Sequence, residues 1–398
     1  MARPDRANPD VPADRRSLPY AQILLILAAS RISLLAVGLL SSYLVPSGAS
    51  LQQGNLFYHQ PTVRAFEIWA RWDSEWYLLI ADQGYDSSGY FEQRSVPYEK
   101  SATAGFLPLY PLLIRWLTPL FGGVGAGVLI SNLSLVAVLL LLYLAAAAEA
   151  PPSAARSAGL AACVALLVFP TSLFLSAVYS ESLFLALSLA VFVAARQGRM
   201  GIAGVAGGLA ALTRPSGVLL ALPLLWEWWQ HYRAKRTPVW TVLWLAPIPL
   251  AIGAFMLMCQ RVFGDPLALL HRQQRWRGAL SGPWQAFTRW WQAEPTAHGA
   301  HGSTFELIVA VLVLACLPLM VRRLRPSYWI YATAVLVVAL GSTLWSFSRL
   351  ALTIFPLFVL AGLSWSEGRR AVLVAYAFLG TTLSGLLIAL FANWWWAG

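Results

Sequence analysis

The string Arg71-Trp72-Asp73-Ser74-Glu75-Trp76-Tyr77 sets a carboxylate among aromatic and basic side chains, a combination from which a proton-accepting, sugar-binding site can be built. If residues 66–83 form one helix, Asp73, Trp76, Tyr77 and Ile80 share a face at the spacing i, i+3, i+4, i+7. Such a surround excludes water and suits the carboxylate to general-base work, while the rings can stack on a sugar or pack on an isoprenoid. The same pattern also fits an amphipathic helix lying at a membrane interface, with Trp and Tyr at headgroup depth and the acids in water.

Glu181, Arg214 and Arg349 stand in long apolar stretches, where charges are costly and therefore functional suspects. Arg214 lies in Thr213-Arg214-Pro215-Ser216-Gly217, where Pro215 biases the preceding backbone away from helix. A permanently charged fork beside open backbone makes an anion site, fit for a phosphate; alternatively Arg214 pairs with Glu181 to hold two helices together. Arg349, in Ser346-Phe347-Ser348-Arg349, is a second phosphate candidate. Tyr179 and Glu181 flank Ser180, where they either bind acceptor hydroxyls or tether Arg214. Further along, His271, Arg272, Arg275, Trp276 and Arg277 interleave cations with rings. That mixture suits a lid over a lipid-phosphate site and equally a headgroup anchor. His298 and His301 lack further ligands at zinc spacing, and Asp73 and Glu75 would point about 200° apart on a helix, so no metal is expected. Arg31 falls near the cytoplasmic end of the first apolar run, where its long side chain can snorkel.

The elements that must position these residues are helices in a bilayer. The 398-residue chain is 58% hydrophobic and 11% charged, against about a quarter charged in a soluble domain. Apolar runs of membrane-spanning length recur from Ile23 to Trp394 without the alternation of barrel strands, which predicts an all-α polytopic membrane protein. The first run, about 23–44, is too long for a signal-peptide core and is expected to stay as an anchor. The net charge of +11 is spread in small groups at residues 3–16, 196–199, 233–236, 322–325 and 369–370, so it reads as positive-inside orientation rather than nucleic-acid binding. The break at Thr213–Gly217 divides its run into two short helices, and the one at Phe169-Pro170-Thr171-Ser172 divides 158–195 into a short helix and a longer one. Counted this way there are about eleven crossings, with the Pro-rich segment 107–121 only partly embedded. The expected organisation is one transmembrane domain over 18–398 after a disordered cytoplasmic start at 1–17, with outer loops at about 47–105 and 261–303. Cys163, Cys259 and Cys316 stand alone in apolar segments, as buried bystanders do.

Five strings occur in one order: RWDSEWYLLIADQGY, FLPLYPLLIRW, LVFPTSLFLSAVYSESLFLAL, LAALTRPSGVLLALPLL and FGDPLAL. Together they resemble the PIG-V type mannosyltransferases, over most of the chain from about Ser30 to Trp396, and the Arg- and Ala-rich composition with compact loops points to a bacterial relative. The resemblance implies a GT-C glycosyltransferase fold with an extracytoplasmic active site in the cell membrane and a cytoplasmic N-terminus. It implies transfer of a hexose, mannose, from a polyprenyl-phosphate donor to a lipid-linked or glycan acceptor with inversion. The family's first-loop acid maps onto Asp73 as base. Trp72, Trp76, Tyr77, Tyr110, Tyr179 and Glu181 then line the substrate pocket, and Arg214, Arg349 and Arg275 serve the donor phosphate. No cofactor and a monomeric protein are expected. Leu350 follows Arg349 where the family often has an aromatic, which sets that assignment apart from the rest. A lipid-linked sugar transporter or flippase is the competing reading, because transporters also place charges at broken helices; they usually show two related halves, which this sequence lacks.

Overall fold

A computed structural model of the chain describes residues 18–48, 58, 60, 62–93 and 101–397; the expected disordered start at 1–17 lies outside them. In chain order the α-helices are α1 (Tyr20–Leu44), α2 (Arg64–Glu67), α3 (Ser74–Gln83), α4 (Ser88–Glu92), α5 (Leu109–Phe121) and α6 (Gly123–Ala147). They continue as α7 (Ala155–Leu167), α8 (Glu181–Arg196), α9 (Met200–Ala211), α10 (Ala221–Arg233), α11 (Pro247–Phe263) and α12 (Ala268–Arg277). The last six are α13 (Gln285–Gln292), α14 (Thr304–Arg323), α15 (Pro326–Leu340), α16 (Phe347–Ala351), α17 (Pro356–Ser366) and α18 (Arg370–Ala392). The segment 107–121, expected to be only partly embedded, forms the short helix α5, 13 residues long, with Pro119 inside its last turn.

Helices α1, α6, α14, α18 and the stretch Val239–Phe263 are long and apolar enough to cross a bilayer, and α5, α7, α9, α15 and α17 are shorter apolar helices. The outward surface is apolar as well: Leu25, Ile32, Leu40 and Leu44 on α1 and Phe378 on α18 are exposed. In water such a surface would drive aggregation, whereas in lipid it is the required one. The protein is an all-helical, multi-pass membrane protein.

Both expected breaks are present. Arg214 is extended (φ −146°, ψ 147°) between α9 and a 3₁₀ turn at Pro215–Leu220. Gly217 permits this turn to fold back on α9, since a Cβ there would meet the Ala211 nitrogen at 2.5 Å and the Ala210 carbonyl at 2.6 Å. The other break runs through a 3₁₀ turn at Ser172–Leu175 to the start of α8 at Glu181. Arg31 corrects the snorkelling expectation, because it turns inward. Its guanidinium donates to the Ser172 carbonyl at 2.8 Å and to the Leu167 carbonyl at 3.5 Å. The residue therefore ties the last carbonyl of α7 to the 3₁₀ turn that follows it.

Charge is sorted along the helices. Glu181 opens α8 and Arg196 closes it, about 22 Å away at 1.5 Å per residue. Glu306 lies in the first turn of α14, and Arg322 and Arg323 lie in its last. At the basic ends, pairs such as Arg196–Glu149 (2.5 Å) and Arg325–Glu227 (3.2 Å) join neighbouring helices.

Candidate active site

The helix expected over 66–83 is not continuous. α2 ends at Glu67, α3 starts at Ser74, and Asp73 is the N-cap residue between them. Trp72 adopts a φ of +59°, left-handed backbone that costs a bulky residue about 1–3 kcal/mol. The reading of this segment as an amphipathic interfacial helix is corrected too: Ser74, Glu75, Tyr77, Leu78, Leu79 and Ile80 are buried in protein. Glu75 accepts the amide of buried Tyr58 at 3.1 Å. The strained loop is held by Tyr179, whose hydroxyl donates to the Arg71 carbonyl at 3.1 Å and accepts the Asp73 amide at 3.2 Å.

Tyr179 leads directly to the charges. Arg349 Nη1 lies 2.8 Å from Asp73 Oδ2, and its Nε lies 2.6 Å from Glu181 Oε1. The same Glu181 oxygen is 2.6 Å from Arg214 Nη1. The Arg349 guanidinium also sits over the rings of Tyr179 (4.8 Å) and Phe174 (5.3 Å), which disperses charge in a dry setting. Exposure separates the two carboxylates: the side chain of Glu181 is 0% exposed and that of Asp73 is 29% exposed. Glu181 is therefore the internal counter-ion of two arginines, and Asp73 is the carboxylate a ligand can reach.

Arg349 is aimed by a second strained turn. Ser346 has a φ of +61°, and Glu306 clamps the residues after it, accepting the Ser348 amide at 2.5 Å and the Ser348 hydroxyl at 2.9 Å. Glu306 is not among the residues singled out from sequence, although Ser303-Thr304-Phe305-Glu306 before an apolar run is a capping-box signature. Half of that motif is present, since Ser303 Oγ accepts the Glu306 amide at 3.3 Å; the carboxylate turns to Ser348 instead.

The stretch expected as outer loop 2 contains two helices, α12 and α13. Arg289 on α13 donates to the carbonyls of Arg277 at 2.5 Å and of Ser342 at 2.9 Å, fixing the end of α12 beside the chain that leads to Arg349. Arg275 is exposed. Arg277, two residues on, is the cation that joins the cluster. Burial lowers its guanidinium to about 10, the charges of Arg349 and Arg214 push the same way, and Asp73 and Glu306 oppose them. It remains protonated at neutral pH, and among the described residues no carboxylate pairs with it directly.

The aromatic candidates surround this cluster at different depths. The Tyr77 hydroxyl pairs with Ser180 Oγ at 2.9 Å, and its ring packs on Tyr110 (5.1 Å) and Phe106 (5.0 Å). Tyr110 is fully buried, with its hydroxyl 3.0 Å from the Gly127 carbonyl and 2.7 Å from Ser131 Oγ. Trp76 is half-buried and stacks on Phe106 at 5.9 Å, and Trp276 of α12 meets the same ring at 5.5 Å. Trp72 lies against Trp396 at 5.1 Å. Among the described residues no three His, Cys, Asp or Glu side chains converge as metal ligands.

Residues 24–222 match the profile of the family described as mannosyltransferase (PIG-V). The match includes Asp73, Tyr179, Glu181 and Arg214 and leaves Arg277, Glu306 and Arg349 beyond its end. No protein of curated function matches the chain by sequence. Among solved structures, ArnT from Cupriavidus metallidurans bound to undecaprenyl phosphate is similar at 16% identity and a TM-score of 0.49, covering 94% of this chain and 76% of that one. The oligosaccharyltransferase of Archaeoglobus fulgidus in the apo form is similar at 14% identity and a TM-score of 0.44, covering 94% of this chain and 56% of its own.

Proposed function

Because the chain belongs to the mannosyltransferase (PIG-V) family and is thereby a membrane glycosyltransferase, we propose that it moves mannose from a polyprenyl-phosphate carrier to a hydroxyl of a lipid-linked or glycan acceptor, with Asp73 as general base. One observation carries the reading. A reachable carboxylate, Asp73, lies 2.8 Å from Arg349 in a cluster that also holds a cation, Arg277, without a direct carboxylate partner among the described residues.

In this reading the acceptor oxygen attacks the anomeric carbon from the face opposite the phosphate. The bond from that carbon to the phosphate oxygen breaks, and the electron pair leaves with polyprenyl phosphate. The acceptor proton passes to Asp73 Oδ1, since Oδ2 is engaged by Arg349. Phosphate leaves readily once its charge is met, so no second carboxylate is needed as acid. Arg277 meets that charge as a fixed cation, and Arg349 holds the base in place. The site lies at the helix ends opposite the basic clusters, which under the positive-inside rule supports an extracytoplasmic site and a cytoplasmic N-terminus. The test is the configuration of the product: NMR of the transferred sugar should show the anomer opposite to the donor's. Retention would replace direct displacement with a covalent intermediate.

Two further outcomes follow. Arg277→Ala should raise the KM for polyprenyl-phosphate-mannose by about 10- to 100-fold, the effect of losing a hydrogen bond to a charged group. A similar loss in Arg275→Ala, with Arg277→Ala unaffected, would move the phosphate to the exposed arginine. Turnover should also persist in EDTA, because the cluster supplies its positive charge from arginine. Activity lost on chelation and restored by magnesium or manganese would contradict this.

A further inference from the structure

Helix α10, which follows the Arg214 turn, carries His231 and Arg233 in its last turn and ends in a basic hollow. Tyr232, Arg233, Lys235, Arg236, Thr237 and Pro238 line about 480 Å³ there. A hydrogen-bonded helix stop turns the chain back at this point: the Arg236 amide donates to the His231 carbonyl and the Lys235 amide to the Tyr232 carbonyl, each at 2.9 Å. The bend of such a stop needs left-handed backbone, normally supplied by glycine, and here Lys235 adopts it at a φ of +53°. A cation is thus kept where glycine would be less strained, and residues strained in this way gather at ligand sites.

Basic residues at a helix end also have a plain use, as partners of free carbonyls or of nearby carboxylates. Neither applies to these three. Backbone amides already satisfy the carbonyls of Gln230, His231 and Tyr232. Among the described residues no carboxylate pairs with Arg233, Lys235 or Arg236. Other arginines at the basic helix ends differ, since Arg196 meets Glu149, Arg323 meets Glu367 and Arg325 meets Glu227. Three cations therefore converge on one hollow that, among the described residues, no acid lines.

What lies one turn back along α10 decides which anion fits. Leu222, Leu225, Trp226, Trp228 and Trp229, with Ile330 of α15, line an apolar groove of about 370 Å³. Leu222, Leu225 and Trp229 are exposed, so the groove opens on the lipid-facing surface. Its two walls are fixed to each other, because Glu227 of α10 accepts the Ser327 hydroxyl at 2.6 Å and pairs with Arg325 at 3.2 Å at the start of α15. Groove and hollow adjoin: Trp228 stacks on Tyr232 at 5.3 Å, and the Arg233 guanidinium lies 5.9 Å over the Trp229 ring. A soluble anion would use the hollow alone, and a neutral lipid the groove alone. A molecule with an acyl chain and a phosphate head uses both.

We infer that this end of α10 binds an anionic phospholipid of the leaflet on the basic side. Its phosphate sits among Arg233, Lys235 and Arg236, and an acyl chain lies along the groove between α10 and α15. The site is at the far end of α10 from Arg214 and does not depend on the transferase reading. A bound lipid covers the seam between the two helices, so it stabilises the folded protein.

The experiment titrates the full chain, stripped of lipid in dodecyl maltoside, with dioleoylphosphatidylglycerol, dioleoylphosphatidylcholine or glycerol phosphate. Native mass spectrometry reads binding, and thermal unfolding reads its effect on the fold. Of the three, only phosphatidylglycerol should be retained tightly and raise the unfolding temperature. Arg233→Gln combined with Arg236→Gln should weaken its binding by about 25-fold, about fivefold for each cation near a membrane surface. Lys235→Gly separates a lipid site from a turn that is only structural. Glycine takes the left-handed bend without strain, so the lipid-free variant should unfold at a higher temperature than wild type, yet bind phosphatidylglycerol about fivefold more weakly. Equal binding of phosphatidylcholine would reduce the site to an apolar groove, and equal binding of glycerol phosphate would make it a site for soluble phosphate. Unchanged phosphatidylglycerol affinity in the double variant would place the lipid elsewhere. Any of these three results overturns the inference.

Discussion

Replacing Asp73 by Asn should lower sugar transfer by about 10²- to 10⁴-fold, the range a general base contributes, while leaving donor binding and the fold close to wild type. The amide keeps the shape of the carboxylate and can still accept from Arg349 Nη1, now 2.8 Å from Asp73 Oδ2. It cannot take the acceptor proton. Stability should change little, because the Asp73 side chain is 29% exposed and Arg349 retains Glu181 at 2.6 Å. Donor affinity is read by equilibrium binding of labelled polyprenyl-phosphate-mannose and the chemical step by single-turnover transfer. A variant that transfers at more than a tenth of the wild-type rate would remove Asp73 from the base position.

The reverse pattern is expected at Glu181. Its Oε1 meets both Arg214 and Arg349 at 2.6 Å and its side chain is fully buried, so Glu181→Ala leaves Arg214, among the described residues, with no carboxylate partner in a dry environment. Breaking a buried pair from one side costs about 3–5 kcal/mol, a large part of the stability of most folds. Thermal unfolding in detergent should show Glu181→Ala losing its folded, monodisperse form at temperatures where wild type and Asp73→Asn persist. Replacing Glu181 and Arg214 together by apolar residues of similar volume should recover much of that loss without recovering activity, because the charge network that positions Arg349 is gone. Equal stability of Glu181→Ala and wild type would mean that the two arginines find other partners.

The two loci differ because of depth, and depth was only partly legible in the sequence. Where a break carries its own chemistry, reading the chain works: Pro215 with Gly217, and Pro170, mark the turns that place Arg214 and Glu181. The break before Asp73 carries no such mark. Left-handed Trp72 is imposed by tertiary contacts, with the Tyr179 hydroxyl at 3.1 Å and 3.2 Å on the two sides of it, so local helical periodicity gave a continuous helix instead. The Arg214–Glu181 pair was one of two readings left open, and the geometry places the two side chains at 2.6 Å. Arg277 stood in the sequence beside two other arginines, Arg272 and Arg275. Only the docking of α12 through Arg289 distinguishes it from exposed Arg275. Glu306 reads in one dimension as a helix cap, and its second role depends on a turn 42 residues away.

The most direct test is whether the carrier bond breaks. Purified protein should convert polyprenyl-phosphate-mannose to polyprenyl phosphate in step with mannosylation of a glycoside acceptor, one carrier released per sugar transferred. If instead the protein binds the carrier lipid and moves it across vesicle bilayers with the sugar still attached, the glycosyl-transfer chemistry proposed for Asp73 is contradicted and the broken helices belong to a flippase.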